Sequence, residues 1–152
     1  MTDSQDIDDH GAFAGSLVLS WSGRHASFGL EAAAVERIVD EHEWGGSVLD
    51  MSSVLDLDSS LQPVRVLEIR AGLDRFGLRV FGMVMLRSVA SSDLLELPSL
   101  LRVGPIGRLL RHLAVVDGAP ALWVLDARAL ENHGRRLSSR RDVPCDAPND
   151  PR

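Results

Sequence analysis

Residues 75–89 read RFGLRVFGMVMLRSV, and the side on which each of these residues faces decides the architecture. Read as one strand, Phe76, Leu78, Val80, Val84 and Leu86 share a face, while Phe81, Met83 and Met85 alternate onto the other beside Arg79 and Arg87. Both faces are apolar. Such a strand is either sandwiched between two layers or offers an adaptable contact surface, because Met and aromatic residues with cationic neighbours are enriched where proteins meet.

The neighbouring segments carry the same two-residue period. "PVRVLEIRAG" places Leu67 and Ile69 on one face and joins residues 75–89 through the weak turn "AGLDR". Upstream, Leu17, Leu19 and Trp21 alternate in "LVLSW", "SGR" turns the chain, and Ala26, Phe28 and Leu30 return on a single side. Downstream, "LLRHLAVVDG" and "APALWVLDA" form a third hairpin whose Asp-Gly supplies the turn. "RALENHG" is a closing helical turn stopped at Gly134. The segment "EAAAVERIVDE" fits a helical stripe or a short strand equally well. Hairpins with only short helical pieces predict an all-β barrel or sandwich, since closing a sheet removes exposed edges.

The 152 residues fit one domain or two small subdomains sharing a core, and a hydrophobic content of 45% is enough to build it. Residues 1–13, with Asp3, Asp6, Asp8 and Asp9, and residues 135–152, with "RRLSSRR" and a Pro-rich end, bury too little apolar surface to offset chain entropy. They are expected to be disordered tails flanking a domain over 14–134, with the arginine run solvated. A net charge of −6 argues against binding nucleic acid. No stretch is long and apolar enough to insert into a membrane, and the start lacks signal-peptide character, so a cytoplasmic location is expected. All sixteen basic residues are Arg, which we read as a coding bias.

No phosphate-cradling Gly loop, GxSxG elbow or HExxH helix is present. His42 lies among carboxylates in "DEHE" (40–43), a pattern read as a solvated acidic loop, since a metal site also needs defined geometry and supporting partners. Ser52 and Ser53 stand where a helix N-cap is wanted before "VLDL", which explains them without a nucleophile. Cys145 is alone and is read as a free surface thiol. Neither an enzyme nor a cofactor is expected.

Taken in order, these segments resemble the CheW-like domain, the coupling module of bacterial chemotaxis arrays. "LVLSWSGRHASFGLEAAAVERIVD" is similar to that family's opening hairpin, small-residue segment and third strand, which makes "VERIV" a strand. "GGSVLDMSSVLDL" is similar to the segment in which a glycine, here Gly46, leads into an apolar strand, then an Asp-Leu pair, here Asp50-Met51, and a short helix ending at Leu57. The stretch from Val64 to Leu101, with Leu97-Pro98 near its end, resembles the middle hairpin, and "LLRHLAVVDGAPALWVLDARAL" the last one.

The resemblance implies a mainly β fold of two small five-stranded barrels sharing a hydrophobic core, with short helices and no active site. It also implies an adaptor whose partners are chemoreceptors and the regulatory domain of a CheA-type histidine kinase. The chain departs from the family's pattern where "EHEWGG" shortens the connection before the fourth strand and Gly45 takes an arginine's place. Phe81 stands where the middle hairpin often carries an acid. Candidate partner contacts are Trp44, Gly46, Phe81, Met83 and Met85, each with a structural alternative: Trp44 capping the core, Gly46 permitting a turn, and the Phe and Met side chains buried between the barrels. A structural or inhibitory module that binds without coupling, and a small-molecule-binding barrel, are the competing functions.

Overall fold

The computed structural model describes residues 15–141. The acidic segment 1–13, most of the Pro-rich end and Cys145 lie outside the described residues.

Among the described residues, ten strands and one α-helix follow in chain order: β1 (Gly15–Ser22), β2 (Ser27–Glu31), β3 (Val35–Asp40), β4 (Val48–Leu49), β5 (Val64–Ala71), β6 (Asp74–Phe81), β7 (Met85–Ala90), β8 (Leu94–Glu96), β9 (Leu110–Ala114), β10 (Leu122–Leu125) and α1 (Ala127–Arg141). They build two β subdomains, one a six-stranded sheet of order β7-β1-β2-β10-β9-β8 and the other a four-stranded sheet of order β3-β5-β6-β4. The strands therefore divide six and four rather than five and five. The β-branched pair Val35 and Val39 and the pairing of Val35 with Ile69 resolve the ambiguous "VERIV" as strand.

Short connections curl each sheet. β7 and β8 form opposite ends of the six-stranded sheet, yet only the 3-10 turn Ser91–Asp93 separates them in the chain. Their apolar residues Val89 and Leu94 accordingly meet Val18, Ala114, Leu122 and Val124 in one interior. Space there is tight, since a Cβ on Gly29 would stand 2.6 Å from Val18 Cγ1. In the four-stranded sheet, residues 41–47 likewise carry the chain from edge strand β3 to edge strand β4.

The second core lies between the sheets. Trp21, Phe28, Leu30 and Leu125 from the six-stranded sheet pack with Leu67, Ile69, Leu78 and Val80 from the four-stranded one, and Leu130 of α1 closes the cluster. Each fully buried aliphatic side chain contributes about 1.5–3 kcal/mol relative to exposure. This shared core joins the two subdomains.

Four sequence expectations are corrected. Residues 75–89 are not one strand: Gly82, at φ +78°, ends β6, and β7 continues in the other sheet. In β1, Val18 is buried and Leu17 exposed, because that end of the strand faces the interior of the six-stranded sheet, whereas Trp21 faces the shared core. At residues 50–57 turns replace the expected helix, and Asp50 rather than Ser52 or Ser53 caps them, its Oδ1 accepting the Ser52 N–H at 2.9 Å. Helix α1 does not stop at Gly134 but runs on to Arg141, so the stretch 135–141 is helical. Gly134 costs helix stability, yet it lies beside Leu49 in a helix whose earlier turns are anchored by Leu130.

Candidate protein-binding surface

Strand β7 combines a free edge with apolar side chains on both of its faces. It is the end strand of the six-stranded sheet and pairs only with β1, so its outer row of N–H and C=O groups has no strand partner among the described residues. The register sets Leu19 opposite Leu86 and Leu17 opposite Ser88, which places Leu17 and Leu86 on one face. These two are 52% and 61% exposed. Met85 lies opposite Ser20 on the other face, and Ser20 Oγ donates to the Met85 carbonyl at 3.3 Å. Met85 is 42% and Met83, in the connection before the strand, 74% exposed. Natural edge strands are usually blunted by charge, Pro or a covering loop; here apolar side chains wrap the edge, and the nearest cation, Arg87, is half-buried.

Of the five candidate contacts, Met83 and Met85 thus lie at one accessible edge. Phe81 does not join them: it is 6% exposed and belongs to the core between the sheets, because Gly82 follows it and turns the chain away before the methionines. Simple alternation groups Leu17 with Trp21 and Leu86 with Leu78 and Val80, yet the structure exposes Leu17 and Leu86 while burying the other three. Gly82 in the middle of an apparent strand was the signal that alternation is interrupted there.

Trp44 and Gly46 occupy a different place, the outer face of the four-stranded sheet. The Trp44 ring is half-buried against Gly46 and Gly77, and its Nε1 donates to the Ser47 carbonyl at 3.1 Å. A Cβ on Gly46 would come within 2.8 Å of Trp44 Cζ2. The ring caps the sheet, and Gly46 lets the backbone pass beneath it.

Around Trp44 the same face is held by ion pairs. Glu68 is 5% exposed and is met by the guanidinium groups of Arg37 and Arg75, the latter at 3.7 Å. Arg75 and Arg70 also meet Glu36, at 3.3 Å and 2.6 Å. Arg79 joins Glu41 and Asp50, the latter at 2.9 Å. Partial desolvation pushes the Asp50 carboxyl up, but the hydrogen bonds from Ser52 and the Arg79 guanidinium outweigh it and hold the carboxyl below the ordinary aspartate range. Each of these arginines meets a carboxylate of the same chain, which makes this a structural surface.

The acidic loop gathers Asp40, His42 and Glu43, whose ligand atoms lie within 4.8 Å of one another on the surface. Arg65 already engages Asp40. A cleft of about 570 Å³ opens between α1 and the β4–β6 side, bounded by Leu49, Phe76 and Leu130 and bridged by the contact of Arg135 with Asp74. His112 is half-buried, and its Nδ1 has no hydrogen-bond partner among the described residues.

No protein-family model and no curated protein matches the sequence. Among solved structures, the scaffolding protein TtCheW from Thermoanaerobacter tengcongensis is similar in fold, with a TM-score of 0.59 over 74% of this chain and 89% of that one, at 11% sequence identity. The architecture is therefore CheW-like: mainly β, in two subdomains around a common core. Among the described residues, no helix is long and apolar enough to cross a membrane.

Proposed function

We propose that this chain is a non-enzymatic adaptor, cytoplasmic and cofactor-free, whose domain couples chemoreceptors to the regulatory domain of a CheA-type histidine kinase. The observation that carries the proposal is the β7 edge, where Met83, Met85, Leu86 and Leu17 surround an unpaired strand. An edge of this kind takes a partner strand through main-chain hydrogen bonds, while the flanking apolar side chains supply burial. Flexible Met side chains adapt to the partner at low cost. The similarity in fold to a protein described as a scaffold supports this class of function.

The test uses the purified full chain against the kinase regulatory domain and a receptor-tip fragment from the same organism. Binding that weakens about tenfold or more in Met83→Arg and Leu86→Arg supports coupling through β7, since charges placed in the buried centre of an interface are costly. Absence of binding to both partners would sink the adaptor reading.

A further inference from the structure

We propose a second, electrostatic docking site: the groove between α1 and the turn Gly107–Leu109 binds an acidic, partly apolar peptide segment of a protein partner. The groove has a volume of about 350 Å³ and is lined by Arg108, Arg136 and Arg140 over a floor that includes Leu109 and Leu137. Among the described residues, no carboxylate lines it. It shares no residue with the β7 edge, and the inference does not depend on the coupling function.

The distribution of charge is what singles out this groove. The chain carries 22 acids against 16 basic residues, and the arginines on the outer face of the four-stranded sheet all meet carboxylates. On α1 itself, Arg135 contacts Asp74 and Glu131. The adjacent Arg136, with Arg140 one helical turn further on, lines the opposite groove with Arg108, and none of these three forms an ion pair among the described residues. Like charges four apart on a helix repel. Three cations that stand together without a carboxylate partner among the described residues form a site complementary to an anion.

The form of the site favours a peptide over a compact anion. Arginines spaced along a helix and across a groove match carboxylates distributed along a segment, and guanidinium groups recognise carboxylates through paired hydrogen bonds. Arg136 and Arg140 lie in the C-terminal half of α1, where the helix dipole adds no attraction for any anion, so recognition rests on the guanidinium groups themselves. The apolar floor suits aliphatic side chains between the acids.

The experiment measures fluorescence anisotropy of a labelled short peptide alternating Asp or Glu with Leu, added to the full chain at low salt. The isosteric Asn/Gln peptide is the control. The double variant R136Q/R140Q should bind at least about tenfold more weakly, whereas R102Q/R128Q, which removes the same charge outside the groove, and Met83→Arg should bind like the wild type. Raising salt should weaken binding because exposed charges are screened. Equal affinity of R136Q/R140Q and R102Q/R128Q, binding of the neutral peptide, or displacement by millimolar inorganic phosphate would each overturn the proposal. A preference for anionic lipid vesicles over the peptide would overturn it as well.

Discussion

The indole of Trp44 lies across Gly77: a Cβ added there would stand 2.8 Å from Trp44 Nε1 and 2.5 Å from Val66 Cγ1. Glycine at this place in β6 is required by Val66 beside it and the ring above it. Gly77→Ala should destabilise the chain by about 1–3 kcal/mol, the usual cost of overpacking. In urea unfolding, adding Trp44→Ala should recover only part of that loss, since the approach to Val66 remains. Full recovery would show that the indole alone sets the constraint.

Gly134 presents the opposite case. A Cβ there would meet the Leu49 methyl carbons at 3.8 Å and 3.9 Å, ordinary van der Waals contact, within a helix that glycine weakens. Gly134→Ala should therefore raise stability by about 0.5–1 kcal/mol, read as a higher urea midpoint at unchanged slope. A lower midpoint would mean that α1 needs the glycine for a close approach to the sheet.

Phe81 and Met83 are two residues apart and should respond very differently. Phe81→Ala removes a ring buried between the sheets and should cost about 3–5 kcal/mol. Phe81→Asp, which restores the acid expected from the resemblance, should unfold the chain rather than alter its partners, because it buries an unpaired charge. Met83→Ser should leave stability within about 0.5 kcal/mol, as exposed substitutions usually do. Thermal unfolding of the three variants decides the matter.

Asp50 gives the fold a dependence on acid. Its carboxyl titrates lower in the folded chain than in the unfolded one, so its stabilising contribution is fully present above the unfolded value of about 4 and is lost as pH falls through the folded one. Asp50→Asn should lower stability at neutral pH and flatten its decline on acidification below about pH 4. Urea midpoints measured across that range for both chains would show a parallel decline if Asp50 contributes nothing.

The sequence by itself determined the three hairpins, β1-β2, β5-β6 and β9-β10, and the pairing within each. Alternating apolar residues and turn chemistry act locally, and local pattern is visible along the chain. The family resemblance added that "VERIV" is a strand and that two subdomains share a core. Only the tertiary structure decided where each alternation ends. Gly82 moves the chain from one sheet to the other, so Phe81 falls in the core while Met83, Met85 and Leu86 reach the surface. Leu17 and Val18 exchange their expected faces for a related reason: a strand shared by two cores has no single inside. The arginines of residues 135–140 read as a solvated run, and a helix extending through Gly134 sorts them into Arg135, which meets carboxylates, and Arg136 and Arg140, which face a groove without any among the described residues. Burial and charge pairing depend on residues distant in sequence, and only the folded chain brings those residues together.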